Sequence, residues 1–289
     1  MYIKFKVTKA TLLTTGVLLI VVVFSLLYSG FYPSTKATVA NESQIKLPVI
    51  MYHSLLKDTK LQGQFVIDPQ KLEDDLKMLQ KKGYTTVTVK DLTDYVYNDK
   101  SLPQKPIMLT FDDGYYNNYY YAYPLLQKYK CKAVISPIAY YSEFYSNDNK
   151  LSVSYSHCTW AQLKEMIDSG YVEIQNHSYN MHTQSGRVGI KQKQGESDET
   201  YKKLITEDIS TAQKYFKEKL NYTPIAFVYP FGAISDNSED IIKALSFKCS
   251  FTCQEKVNTI SKDKNSLYSL GRYIRTNKMT SEELFSKFE

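Results

Sequence analysis

Residues Pro106–Tyr116 read PIMLTFDDGYY. The apolar run Ile107 to Phe111 is short and closes on Gly114, a pattern that predicts a buried strand ending in a sharp turn. Asp112 and Asp113 then fall at the carboxyl end of that strand, where open α/β sheets and barrels place their sites. Side chains alternate along a strand, so the two acids are expected to point different ways. One could then bind a metal while the other works as a base. An isolated Asp-Asp-Gly is an ordinary acidic turn. The chemical reading gains weight from two later stretches: Asn176-His177-Ser178-Tyr179-Asn180-Met181-His182 and Tyr229-Pro230-Phe231-Gly232.

Around this centre the chain alternates short apolar runs with helical periodicities. Lys46 to Met51 reads as a strand leading to Tyr52-His53-Ser54. Asp68-Pro69 is an N-cap followed by proline at the first helical position, and Leu72, Leu76 and Leu79 mark one helix face closed by Gly83. Thr86 to Val89 is an expected strand, Asp91 to Tyr97 a short helix, and Tyr119 to Tyr129 another. Lys132 to Ile138 reads as a strand and Tyr140 to His157 as a polar, tyrosine-bearing loop. Thr159 caps a helix over Trp160 to Ser169, ended by Gly170. The strand Val172 to Gln175 delivers Asn176 and His177. Gln184 to Glu199 is an expected loop or lid, and Glu199 to Leu220 a long amphipathic helix. Then come strand Ile225 to Tyr229, helix Ser238 to Leu245 and strand Phe247 to Thr252. Alternation at this spacing means βα units and a mainly parallel sheet.

With 289 residues and 33.4 kDa, 43% of them hydrophobic, the chain can build a large core. Its net charge of +6 and pI near 8.8 suit an anionic surface or wall polymer. No Arg/Lys-dense patch supports nucleic-acid binding, and none is expected. Tyrosine is abundant, 26 residues against one Trp. Its flat faces suit sugar rings, although AT-rich coding would give the same excess. Cys131 and Cys249 lie in or beside apolar runs and read as buried free thiols. A disulfide among the four cysteines stays open for an exported domain.

Lys4, Lys6 and Lys9 precede a stretch without charge until Lys36, with an apolar heart from Leu12 to Tyr28. A bilayer needs roughly 20 mostly apolar residues, more than the core of a cleavable signal. Residues 10–32 are therefore expected to form one N-terminal transmembrane helix, with 1–9 cytoplasmic and 33–45 a linker. Residues 46–289 would be the folded domain, outside the cell membrane. A cleaved signal peptide, with only Thr38-Val39-Ala40 resembling a cleavage site, is the alternative and would make the protein secreted.

His177 and His182 are five residues apart, which is not one helical face. A loop past a strand end can still aim both imidazoles at one point. With a carboxylate from another strand end they make a two-His, one-Asp set for a divalent ion, with positions left for water and substrate.

The motifs Thr110-Phe111-Asp112-Asp113-Gly114, Asn176 to His182 and Tyr229 to Gly232 resemble, in this order, the first three motifs of NodB-type polysaccharide deacetylases, carbohydrate esterase family 4. The resemblance runs from about Leu47 to the C-terminus. It implies a distorted (β/α) barrel in the α/β class, with Asp113, His177 and His182 holding one divalent metal ion, usually zinc. Asp112 would be the general base, and the turn Tyr229, Pro230, Phe231 and Gly232 would bind substrate, with nearby backbone N–H groups holding an oxyanion. Two places depart from the family. Val228 stands where many members carry an Arg, and the tail Leu270-Gly-Arg-Tyr-Ile-Arg275 lacks the histidine that many use as the acid. Val49-Ile-Met-Tyr-His53 looks like the N-terminal motif of the permuted branch, which includes exported poly-N-acetylglucosamine deacetylases, and makes His53 the acid. A structural role at a strand end is the alternative for His53, and His157 is the other candidate acid.

The expected function is removal of N-acetyl groups from N-acetylglucosamine units of a cell-surface or cell-wall polysaccharide by a monomer. Ester hydrolysis on a plant polysaccharide such as xylan would use the same site. A catalytically silent glycan-binding wall protein is the third reading.

Overall fold

In the computed structural model Pro106–Asp113 is extended and every residue in it is buried. The structure describes residue 2, residues 44–148 and residues 150–289. The expected cytoplasmic segment 1–9 (residue 2 apart), the transmembrane segment 10–32 and linker residues 33–43 lie outside the described residues. Among the described residues no helix is long and apolar enough to cross a membrane.

In chain order the elements are β1 (Ile45–Leu47), β2 (Val49–Tyr52), β3 (Ser54–Leu55), β4 (Val66–Ile67), α1 (Pro69–Lys81), β5 (Thr85–Thr86), α2 (Val89–Asn98) and β6 (Pro106–Asp113). A π-helical turn, Asn118–Ala122, leads into α3 (Tyr123–Tyr129), followed by β7 (Ala133–Pro137), α4 (Ala139–Ser146), α5 (Trp160–Asp168) and β8 (Val172–Ile174). The rest is α6 (Asp198–Leu220), β9 (Ala226–Val228), α7 (Ser238–Ala244), β10 (Cys249–Phe251), β11 (Asn258–Ile260), β12 (Tyr273–Ile274) and α8 (Ser281–Ser286).

Local chemistry sets the boundaries. Asp68 accepts the Gln70 N–H ahead of Pro69, and Thr88 and Thr159 each form a reciprocal capping box, with Asp91 and Gln162. The Thr88 box starts α2 at Val89, so the strand expected over 86–89 stops at Thr86. The expected loop 140–157 instead begins with α4, which packs on α5 and α6. Its tyrosine-rich sequence carries little apolar periodicity, which hid it.

β12, β2, β6, β7 and β8 lie side by side, all parallel, and β5 adds to the start of β6. β9 and β10 form a separate parallel pair. Single parallel bridges, Asn176 to Phe227 and Phe251 to Leu270, join that pair to the end of β8 and to the segment entering β12. The strands thus close a ring with helices outside it.

β6 shows how alternation divides the core. Ile107, Leu109 and Phe111 pack outward with Leu72 and Leu76 of α1, Leu126 of α3 and Leu163 of α5. Met108 packs inside with Val49, Val134, Val228 and Phe251 from the other ring strands. Replacing Phe111 by Ala would cost about 3–5 kcal/mol. Thr110 and Asp112 continue the inward face. All four cysteines are free, with Cys131, Cys158 and Cys249 buried.

Candidate active site

Asp113 has φ +66° and Gly114 φ +70°. A left-handed backbone at a non-glycine residue is uncommon and redirects the side chain. Strand parity would send Asp113 outward beside Phe111. The turn cancels that, and Asp112 and Asp113 both line one cavity of about 420 Å³. The expectation that the two acids diverge is therefore corrected, and the cause is this backbone reversal. Gly114 is required because a Cβ there would stand 2.5 Å from the Pro137 Cβ in β7.

The two histidines come from the loop past β8. Its backbone is pinned: Ser178 N–H donates to Asn176 Oδ1 (2.8 Å), and Tyr179 and Asn180 N–H donate to the Asp208 carboxylate of α6 (2.8 and 2.9 Å). This brings the His177 and His182 rings to 5.1 Å. Their Nε2 atoms lie 3.4 and 3.1 Å from Asp113 Oδ1. All three donor atoms fall within 4.8 Å of one another.

This set fits a divalent cation. Asp113 Oδ1 is buried without a hydrogen-bond donor. His177 Nδ1 is 2.8 Å from the Val228 carbonyl, so it carries the proton and leaves the Nε2 lone pair facing Asp113. Two imidazole nitrogens and a carboxylate oxygen are an ordinary donor set for zinc-type ions. Burial favours a neutral Asp113, but the close His177 and His182 imidazoles hold its carboxyl well below the usual range. Burial lowers His53 and His182, whereas the Asp113 contact outweighs burial at His177 and raises it.

Asp112 is gripped by Arg272 through two hydrogen bonds, Nη1 to Oδ1 (2.7 Å) and Nη2 to Oδ2 (2.8 Å). The guanidinium is completely buried and also donates to the Thr252 carbonyl and to Thr110 Oγ1. Burial pushes the Asp112 carboxyl up, and the Arg272 charge and then His177 bring it below its ordinary value. His53 Nε2 stands 3.9 Å from Asp112 Oδ2 across the same cavity. The half-exposed Phe65 ring meets the His53 imidazole edge-on at 4.9 Å.

Of the four residues in the Tyr229 turn, only Phe231 lines the cavity, with its ring 4.2 Å from His182. Tyr229 is buried against Phe227 in the core beneath α6 and α7, and its N–H is taken by the Phe251 carbonyl. Pro230 is buried and Gly232 packs against Cys253. The Tyr229 N–H is thereby committed to the backbone pairing with β10. A groove of about 490 Å³ at the opposite, amino end of β6 contains Asp91, Asp94, Lys100 and Lys132, but the histidine pair lies in the smaller cavity.

An aspartate held ionised next to two imidazoles and a second buried carboxylate, at the carboxyl ends of ring strands, defines a hydrolytic centre of the metal-assisted class. The polysaccharide deacetylase family model matches residues 99–250, more than half of the chain. The chain belongs to that family. It is 24% identical over 254 residues to poly-beta-1,6-N-acetyl-D-glucosamine N-deacetylase of Escherichia coli (strain K12), covering 81% of this chain but only 37% of that protein. The Staphylococcus aureus (strain MRSA252) protein of the same name is 26% identical over 212 residues, 73% of this chain and 68% of the relative. Among solved structures, Streptococcus pyogenes deacetylase PplD in complex with acetate superposes with TM-score 0.70 at 25% identity, covering 86% of this chain and 100% of that one.

Proposed function

We propose that this protein is a metal-dependent hydrolase that removes N-acetyl groups from N-acetylglucosamine units of a cell-surface or cell-wall polysaccharide and releases acetate. The observation that carries the reading is the meeting of Asp113, His177 and His182 at one point beside the Arg272-held Asp112. The two relatives named as N-deacetylases of a glucosamine polymer support an amide substrate. The uncharged segment after Lys9 supports an exported, single-pass, membrane-tethered enzyme, and we take it to act as a monomer.

Asp113, His177 and His182 would hold the cation, zinc by donor type, and when bound it supplies polarisation of the acetyl carbonyl and a more acidic water. The remaining steps belong to side chains. Asp112, ionised and aimed by Arg272, accepts a proton from a cavity water as the water oxygen bonds to the acetyl carbon. The carbon–nitrogen bond breaks as His53, in its protonated form, gives its Nε2 proton to the departing amine nitrogen. The proton taken up by Asp112, 3.9 Å away, is the one that recharges His53. Phe231 and Phe65 give the cavity two apolar flanks for a sugar ring.

The test is acetate release from N-acetylglucosamine oligomers and from acetylated xylan, side by side, with and without chelator. Release from the oligomers that stops on chelation and in Asp112→Asn, with metal content unchanged in that variant, is the expected result. Faster release from xylan would move the protein to ester hydrolysis. No release from either, with no metal bound, would leave a glycan-binding protein.

A further inference from the structure

We infer that His157 is a positioning residue for the cation site, acting through the backbone of Asp113. The inference rests on Asp113, His177 and His182 being the cation ligands. His157 is 7% exposed, and its Nδ1 lies 2.9 Å from the Asp113 carbonyl oxygen. A carbonyl only accepts, so Nδ1 carries the hydrogen. The other donor to that carbonyl is the Ile138 N–H, at 3.3 Å. His157 does not line the cavity, so it has no direct route to the departing amine.

The imidazole is itself fixed. Tyr115 stacks on it at 4.7 Å and Tyr141 at 4.5 Å, with interplanar angles of 30° and 15°. The chain on either side is tied to the turn as well. Tyr116 N–H donates to the Ser156 carbonyl and Cys158 N–H to the Gly114 carbonyl, both 2.8 Å. Residues 156–158 thus clamp the segment that begins at Asp113.

The clamp matters because Asp113 holds a backbone that L-residues rarely adopt. In an ordinary extended conformation its carboxylate would follow strand parity, away from His177 and His182. The His157 hydrogen bond favours the reversed geometry that gives the cation its third ligand. Groups one step behind metal ligands typically change affinity by about 10–100-fold when removed.

The experiment measures zinc affinity of the full chain by competition with a chromogenic chelator, for wild type and for His157→Phe, His157→Asn and His157→Gln. The Asn amide nitrogen stands close to where Nδ1 was, and the Gln amide reaches toward the Nε2 position instead. The expected result is that Phe and Gln weaken zinc binding by about 10–100-fold while Asn recovers most of the loss. A melting curve of each metal-free variant reads any general loss of packing, which should not follow the Asn/Gln difference. Wild-type affinity in His157→Phe, or Asn and Gln variants that bind alike, would overturn the inference alone. A wild-type chain that takes up no zinc would overturn the cation assignment, and this inference with it.

Discussion

Arg272 and Asp112, 160 residues apart in the chain, meet through two parallel hydrogen bonds with both side chains out of solvent. The fork fixes the carboxylate plane and favours its ionised form, the state a general base needs. Lysine would keep the charge and lose the fork. Arg272→Lys should therefore fold and bind metal, yet release acetate about 100-fold more slowly, because a misaimed base costs that much. Loss of the fork also lets burial raise the Asp112 carboxyl, so the acid limb of the rate profile should move to higher pH. A rate and profile equal to wild type would show that Asp112 needs no such partner.

Much of this site is legible in sequence because its parts are local. A buried strand, an Asp-Asp-Gly turn and a loop with two histidines each announce themselves within a few residues. Arg272 does not, since it arrives from a tail whose missing histidine draws attention instead. Its signal is indirect: an arginine between Leu270 and Tyr273, both buried, must find an anion. Val228 of β9 contributes through its backbone, whose carbonyl accepts from His177 Nδ1. Direction is what the sequence hides at Asp113, because a left-handed aspartate leaves no pattern in strand alternation. The buried side chain of Tyr229 is hidden for the opposite reason. A motif marks a turn, and only the packing beneath α6 and α7 tells which of its side chains faces the cavity.

His53 has its Nε2 toward Asp112 and its Nδ1 buried without a hydrogen-bond partner. A structural histidine would ordinarily use both nitrogens, so the cavity-facing one is free for proton delivery. His53→Ala should leave metal content unchanged and slow amide hydrolysis by about 10²–10⁴-fold. An acetate ester should suffer less, because an alkoxide leaves with less help than an amine. Equal losses on amide and ester, measured with the same glycan backbone, would assign His53 to binding or structure.

Asp75 of α1 ties the C-terminal tail to the ring. Its buried carboxylate accepts from Arg275 Nε (2.7 Å), Tyr52 Oη (3.0 Å) and Ser281 Oγ (2.6 Å). Burial raises its pKa, with the Arg275 hydrogen bonds and charge opposing that. Asp75→Ala would leave the guanidinium buried and unpaired, a loss of about 3–5 kcal/mol. Urea unfolding should show it, and a deficit below about 1 kcal/mol, within the range for a solvated pair, would mean the network is open to water.

Glu73, also on α1, accepts from Lys128 Nζ (2.6 Å) and Tyr129 Oη (2.7 Å) at the end of α3. Those two hydrogen bonds lower its pKa from an ordinary 4.5 to about 2. A depressed carboxyl stabilises the fold above its unfolded pKa and loses that contribution as pH falls through the folded one. Glu73→Gln should therefore be less stable than wild type by a constant amount above pH 4.5, with the gap closing between 4.5 and about 2. Added salt should narrow the gap at neutral pH, since Lys128 is solvent-facing. Unfolding midpoints across that pH series check it, and a gap that stays the same from neutral pH down to about 2 would mean the stabilisation comes from packing of the Glu73 side chain rather than its charge.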